Sequence, residues 1–320
     1  MSQPLASPLS DTAALPGVLV LLPVYNGQRF LTQQVESILN QSGVNTHLLC
    51  RDDGSNDGSP VLLHELRLRW PDRITVLKDD LGNLGASGNF SCLMRQALDL
   101  APAGWGRAAY IALSDQDDVW HDDKLAIGLA AIRSLEQARP GAPALVHSDL
   151  RVIEEDGREI APSMARYQGL RPDLSGLSAQ LLSNTLTGCT SLMNRALLEK
   201  ALPVPPEAIM HDWWLSLVAS ALGSRRYLDQ PLIDYRQHAS NAIGAKAQDK
   251  PVAFKTILHR LFDDRHGEIF RLNARQARGF LARFGGELTA RQRWTTWLAS
   301  QLSLPFPPVQ RLIYRVLRRL

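Results

Sequence analysis

Residues 108–120, AAYIALSDQDDVW, set a short apolar run, 108–113, directly before Ser114, Asp115, Gln116, Asp117, Asp118, Val119 and Trp120. A run of that length and composition is a buried strand, so the acids fall where the strand ends. Three carboxylates at a strand exit repel one another unless a cation sits among them. Carboxylates suit a hard divalent ion such as Mg²⁺ or Mn²⁺, which binds through one or two of them plus substrate phosphates. The stretch therefore points to a phosphorylated substrate, with Asp115 and Asp117 as the candidate metal ligands. Asp-rich loops also arise as solvated turns and helix caps. Asp122 and Asp123 fit that simpler role, at the positive end of the helical pattern 124–135.

Outward from this stretch, apolar strands alternate with helical periodicity. Strands are expected at 18–22, 46–51, 74–77 and 108–113, and helices at 30–40, 59–70 and 87–100. This βαβαβαβ order defines an α/β fold with a doubly wound, mainly parallel (mixed) sheet flanked by helices. In such sheets ligands bind beyond the carboxyl ends of the strands. The polar clusters fall at those ends: Pro23, Val24, Tyr25 and Asn26; Asp52, Asp53, Gly54 and Ser55; Asn83 and Gly85; then the acids after the fourth strand. Any one of them has the chemistry of an ordinary turn. Unrelated turns need not place acids and tight glycines along one edge, so their coincidence indicates a site.

The 320 residues are 45% hydrophobic, enough for a sizeable core. The net charge of +3 is unevenly spread: from Arg271 onward ten arginines face the single acid Glu287, a net +9, so the remainder is net acidic. That tail is expected to seek anionic surfaces, and no nucleic-acid partner is indicated. Cys50, Cys92 and Cys189 are odd in number and lack C-x-x-C spacing, which argues against a disulfide framework or a zinc site. Residues 1–16 read as a disordered segment without the features of a signal peptide. No apolar run reaches the ~18 residues of a membrane span, so a cytoplasmic location is expected.

Seven segments follow one another in the order of a known family: LLPVYNGQRFL (21–31), RDDGSNDGS (51–59), NLGASGNF (83–90), SDQDDVWHDDKL (114–125), NTLTGCTSLMNRALL (184–198), HDWW (211–214) and YRQHASNAIGA (235–245). In these the chain resembles a family 2 glycosyltransferase with the GT-A fold, particularly the bacterial rhamnosyltransferase branch. The resemblance implies a GT-A domain over 17–245 and a helical, basic C-terminal extension over 246–320. It also implies that Pro23, Tyr25, Asn26, Asp52, Asp53, Asn83, Gly85, Ser114, Asp115 and Gln116 hold a dTDP- or UDP-sugar. An Asp of the second loop would accept the imide N–H of the base, with the choice between Asp52 and Asp53 open. The Asp115-Gln116-Asp117 triplet corresponds to the family's DxD. Asp118 would orient neighbours or shape the sugar site.

By the same resemblance Asp212 is the base that takes the proton of the acceptor hydroxyl, a role compatible with capping the helical pattern 213–222. His211 replaces the acid found at this place in many relatives, and its role is open. His238 is a candidate metal ligand or a structural hydrogen bonder, and Arg236 a phosphate binder or an ion-pair partner. Thr187 and Gly188 resemble the acceptor-side loop. Trp213 and Trp214 could stack on an acceptor sugar, although one of two neighbouring helix tryptophans is expected to face the core. Further helices are expected at 254–262, 269–284, 291–302 and 309–320, the last amphipathic with arginines between its apolar positions. It would either pack on the catalytic domain or lie on an anionic inner leaflet as a peripheral anchor.

The activity implied is inverting, metal-dependent transfer of a sugar, such as L-rhamnose from dTDP-rhamnose, to a glycan or lipid-linked oligosaccharide of a surface polysaccharide. Two other classes share parts of the pattern: a metal-dependent sugar nucleotidyltransferase or phosphatase, and a noncatalytic nucleotide-sugar-binding protein. A sugar nucleotidyltransferase wants a Gly-rich basic loop after the first strand, and a haloacid dehalogenase-type phosphatase wants a nucleophilic Asp there. Pro23, Val24, Tyr25 and Asn26 provide neither.

Overall fold

The alternation of side chains along β1 (Gly17–Val24) sets the architecture. In the computed structural model, which describes residues 15–100, 110–238 and 267–320, successive residues of this strand enter two different cores. Val18, Val20, Leu22 and Val24 join Leu31, Val35 and Ile38 of α1 (Leu31–Leu39) on one side of the sheet. Leu19 and Leu21 join Phe90, Leu93 and Met94 of the helix Gly85–Asp99 on the other. A strand covered on both faces must be apolar throughout, which is why it reads as a continuous hydrophobic run. The first half continues through β2 (Asn45–Asp52), α2 (Ser59–Arg69), β3 (Ile74–Val76), α3 (Gly85–Asp99) and β4 (Tyr110–Leu113). The first two residues expected in the fourth strand, 108 and 109, lie outside the described residues.

The second half was less legible. After β5 (Val119–Trp120) and α4 (Lys124–Ala138) come β6 (Ala144–Ile153), β7 (Glu159–Ala161), α5 (Met164–Gln168), α6 (Leu177–Leu182), β8 (Ser191–Met193), α7 (Arg195–Ala201), α8 (His211–Leu222) and β9 (Ser224–Arg236). The nine strands form one sheet in the order β3-β2-β1-β4-β8-β6-β9-β5, with β7 paired to β6. β1 runs parallel to β2 and β4, and β2 to β3. β8 is antiparallel to both β4 and β6, whereas β9 runs parallel to β6. The result is the expected mixed α/β sheet. Its carboxyl edge at β1, β2 and β4 meets the second half where β4 pairs with β8, and that junction is where the acids lie.

The C-terminal helices α9 (Gly267–Phe284), α10 (Ala290–Ser300) and α11 (Pro307–Leu317) share the main core instead of forming one of their own. Phe270, Phe280, Phe284, Ala299, Leu302, Ile313 and Leu317 all belong to the cluster that holds Trp213 and Trp214. Phe280 meets the Trp214 ring edge-on at 5.5 Å between centroids. Arg283 donates to the carbonyls of Lys200 and Ala201 at the end of α7 and of Pro203 just past it, so part of the tail's positive charge is used internally. Of the apolar positions of α11, Ile313 and Leu317 are spent on packing, whereas Val309 and Leu312 stay exposed. The expected helix over 254–262 and the boundary at 245 lie outside the described residues.

Because Phe280 is fully buried between Trp214 and Phe284, Phe280→Ala should cost about 3–5 kcal/mol. Urea denaturation is the measurement; a loss below ~1 kcal/mol would mean that the C-terminal helices are not part of the cooperative core.

Candidate active site

At the exit of β4 the side chains divide into those that build the loop and those that face one another as charges. Ser114 is fully buried. Its hydroxyl accepts from Gln34 Nε2 at 2.6 Å and donates to the Asp115 carbonyl at 2.8 Å. Gln116 clips the first loop: its Oε1 accepts from the Tyr25 N–H and its Nε2 donates to the Tyr25 carbonyl, both at 2.9 Å. A Cβ on Gly27 would lie 2.2 Å from Gln116 Oε1, so only glycine fits beneath the clip. The polar side-chain atoms of Ser114 and Gln116, both expected to contact the nucleotide, thus have partners within the protein.

Asp115, Asp117 and Asp118 are the charges. Burial, then the nearby charge of Asp117 and a smaller contribution from Asp212, pushes Asp115 up to about 7. Asp118 is fully buried and raised well above the usual carboxylate range by burial and then by its two acidic neighbours. Its Oδ1 accepts the Arg236 N–H at 3.3 Å, while Oδ2 has no partner. Burial also raises Asp117, and this is opposed by His238, whose Nε2 lies 2.8 Å from Asp117 Oδ2. Arg236 braces the loop from β9: Nε donates to the Asp117 carbonyl at 3.1 Å, Nη1 to the Glu155 carbonyl and Nη2 to Gln33 Oε1. It therefore serves as scaffold. Below the cluster, Lys124 is buried with its ammonium 3.5 Å from the centre of the Trp120 ring, and burial lowers it to about 7.

The second strand's loop separates its two aspartates. Asp53 is buried and receives Arg51 Nη1 at 2.5 Å, the Leu84 N–H at 2.8 Å and the Gly85 N–H at 2.9 Å. Asn83 donates to the Asp53 carbonyl at 2.9 Å. Its carboxylate therefore shapes the 79–85 loop, together with the Arg51–Asp79 pair at 2.8 Å. Asp52 holds the Gly54 and Ser55 N–H groups with Oδ2 alone, and its buried Oδ1 has no partner. Of the two, Asp52 has the acceptor to spare. Asn26, at φ +49°, accepts the Asn56 N–H and ties the first two loops together. Pro23 is half-buried beside it, Tyr25 is exposed, and Gly85 is open to solvent at φ +68°.

Asp212 reaches this edge from the second half. α8 begins at His211, two residues earlier than periodicity indicated, with Met210 as its cap, so Asp212 sits in the first turn and is not the cap. Asp212 Oδ1 accepts the Trp213 N–H at 2.6 Å and Oδ2 accepts Asn184 Nδ2 at 3.2 Å. Gly188 lies against it: an added Cβ would stand 3.5 Å from Asp212 Cβ. The Thr187 carbonyl accepts the Thr190 hydroxyl at 2.7 Å, closing the turn that carries Gly188. His211 is buried and stacked on Phe90 at 4.2 Å; burial lowers its pKa, and neither ring nitrogen has a partner. Trp213 and Trp214 are core residues whose indole N–H groups donate to the Gln180 and Ala201 carbonyls. Both rings, expected as candidates for stacking on an acceptor sugar, are packed inside.

Asn184 is the site residue that sequence reasoning passed over. It lies inside a quoted family segment, but nothing in one sequence ties an amide to a carboxylate 28 positions away.

The donor set suits a hard divalent cation. Asp115, Asp118 and Cys189 bring ligand atoms within 4.8 Å of one another. Beside them Asp117 Oδ2 and His238 Nε2 are hydrogen-bonded at 2.8 Å, which adds an oxygen and an imidazole nitrogen to the cluster. Cys189 is buried, and burial with two nearby carboxylates keeps its thiol protonated, so oxygen and imidazole are the ligands on offer.

This arrangement, nucleotide-type loops at a switch point facing an acidic cluster and a carboxylate on the opposite helix, is that of an enzyme acting on a phosphorylated donor. Residues 19–201 match the sequence model of "Glycosyl transferase family 2", more than half of the chain, which therefore belongs to that family. It is 25% identical over 250 residues to the dTDP-rhamnosyl transferase RfbG of Shigella flexneri, covering 75% of this chain and 78% of that protein. It is likewise 25% identical over 224 residues to the putative teichuronic acid biosynthesis glycosyltransferase TuaG of Bacillus subtilis, covering 69% and 79%. Among solved structures, S. aureus TarS 1–349 in complex with UDP-GlcNAc superposes at a TM-score of 0.52 and 12% identity, over 95% of this chain and 92% of that one. The mannosyltransferase PcManGT of Pyrobaculum calidifontis, in complex with GDP-Man and Mn²⁺, superposes at 0.50 and 16% identity, over 95% and 74%. These neighbours establish the GT-A fold.

Since Asp115 titrates at about 7 in the metal-free protein, its charging costs the fold stability as pH rises from its ordinary value near 3.8 to 7, and nothing further above that. A cation must displace this proton. Calorimetric titration with Mn²⁺ in buffers of different ionisation enthalpy should show proton release at pH 6 that fades by pH 8. Equal release at both values would contradict the assignment of Asp115.

Proposed function

We propose that this chain transfers a sugar from a nucleoside diphosphate to a glycan hydroxyl, with inversion, during assembly of a surface polysaccharide. The observation that carries the proposal is Asp212: a carboxylate on the first turn of α8, held by Asn184, close enough to Asp115 for their charges to interact, with Gly188 leaving room at its side.

On this proposal the base and ribose lie over the first two loops, where Tyr25 is exposed beside Pro23 and Asn26, and the free Oδ1 of Asp52 accepts the imide N–H. Asn83 and Gly85 border the donor from the 79–85 loop, whose form Asp53 imposes. Asp115, Asp117 and His238 would hold Mg²⁺ or Mn²⁺, which supplies charge stabilisation for the departing diphosphate. Asp212 takes the proton from the acceptor hydroxyl as that oxygen bonds to the anomeric carbon and the bond to the diphosphate breaks. Asn184 fixes the orientation of the carboxylate, and Thr187 and Gly188 line the acceptor side. The likeness to RfbG supports L-rhamnose from dTDP-rhamnose as the donor, with a UDP-sugar as the other choice. A polysaccharide role supports a lipid-linked oligosaccharide as acceptor and a place on the inner face of the cytoplasmic membrane. No described helix is long and apolar enough to cross a membrane, so the attachment would be peripheral.

A panel of nucleotide sugars incubated with Mn²⁺ or Mg²⁺ should show slow release of nucleoside diphosphate from one donor, because water can replace the acceptor. Binding of a donor without any release, with or without glycan, would favour a noncatalytic binding protein. Asp212→Asn should bind that donor unchanged while turnover falls about 10²–10⁴-fold. Asn184→Ala should lower kcat roughly tenfold with the donor KM unaltered, since one hydrogen bond to a charged group is lost. A change confined to the donor KM would place Asn184 on the nucleotide side instead.

A further inference from the structure

Two exposed aromatic residues of the C-terminal region lie on α10. Trp294 and Trp297 are 47% and 49% exposed, three positions apart, and with Leu281, Gly285, Ala290 and Arg293 they line an apolar groove where α10 passes the end of α9. Thr295, Thr296 and Ala299 turn inward, so the helix is seated by its other face and the two indoles are not needed to hold it. Phe306 and Leu312 are each 62% exposed along the turn and helix that follow. Apolar surface of this extent on a folded chain marks a contact surface.

The charge around it selects the partner. Residues 288–320 contain six arginines and no Asp, Glu or Lys. Arg291, Arg293, Arg315, Arg318 and Arg319 are all exposed. Arg291 Nη2 donates to the Leu320 carbonyl at 3.0 Å, which brings the exposed Arg318 and Arg319 to the end of α10 where that helix begins. Indoles that prefer the boundary between water and hydrocarbon, bordered by uncompensated guanidinium groups, match an anionic lipid surface. Gln292 Nε2 donates to the Ala221 carbonyl, near the far end of α8 from Asp212. At about 1.5 Å per residue that places Asp212 roughly 14 Å along α8 from this anchor point.

We propose that the Trp294–Trp297 face of α10, with its bordering arginines, seats the protein on an anionic bilayer. This rests on the proposal that the acceptor is lipid-linked, and it moves the centre of the contact from the final helix, where Ile313 and Leu317 are buried, to the helix before it. Bound in this way, the enzyme would meet its acceptor at the membrane surface.

The test is flotation of the full chain with vesicles of phosphatidylcholine alone or mixed with phosphatidylglycerol, beside a Trp294→Ser/Trp297→Ser variant. Wild type should float with the mixed vesicles and stay behind with phosphatidylcholine, and the variant should lose tenfold or more of its partitioning while releasing nucleoside diphosphate from donor at the wild-type rate. Three results would overturn the proposal: no flotation with anionic vesicles, equal flotation of the variant, or a wild-type dimer in solution that the variant abolishes. Donor release is scored separately, so vesicle binding without turnover sinks the transferase proposal alone, and turnover without vesicle binding sinks the membrane proposal alone.

Discussion

Removing carboxylates from water while they stand next to one another is the most costly thing this structure does, and much of the surrounding arrangement follows from it. Asp115, Asp117 and Asp118 occupy the end of one buried strand, where both burial and mutual repulsion favour the neutral form. An interior built only for stability would replace such a cluster with apolar side chains. Here it is retained and braced. Arg236 supports the Asp117 carbonyl, His238 faces the Asp117 carboxylate, and the ammonium of Lys124 lies below with a pKa brought down to about 7. On the proposed function, a divalent cation would balance the acidic charge that remains.

The two halves of the sheet share the work unequally. The parallel strands β1, β2 and β4 end in loops locked by their own hydrogen bonds: Gln116 on Tyr25, Asn26 on Asn56, Asp53 on Leu84 and Gly85. Many of the polar residues at this edge are occupied with one another, while the buried Oδ1 of Asp52 has no partner. Loops locked in this way reduce what binding must spend on ordering the site. The opposite wall is carried by α8 and the turn before β8, where Asp212, Asn184 and Gly188 meet.

The first half of the fold was legible because β1, β2 and β4 are covered on both faces and read as unbroken apolar runs between helical periods. The later strands are not of that kind. β8 is three residues long, and β6 and β9 carry His147, Asp149, Arg225 and Arg236 in buried positions, so neither period nor composition announces them. At the site, the positions of Asp115, Asp117, Asp212 and His238 were readable from family segments, but the division of labour was not. Ser114, Gln116 and Asp53 have the residue types of ligand contacts, yet each satisfies the backbone or a neighbouring side chain. The burial of both tryptophans of HDWW was not legible for a similar reason: the helix they begin is covered on its outer side by α9, a partner about sixty residues further along the chain.

The pairing of β4 with β8 has a wider implication. Apart from His238, the residues proposed to hold the nucleotide and its cation precede that seam in the chain, and the carboxylate proposed to activate an acceptor follows it, with two short antiparallel contacts joining the two. Changes in the segment after the seam can alter what is glycosylated without disturbing the atoms that hold the activated sugar. Lineages diversifying their coat polymers could therefore redraw one territory while the other stays constant.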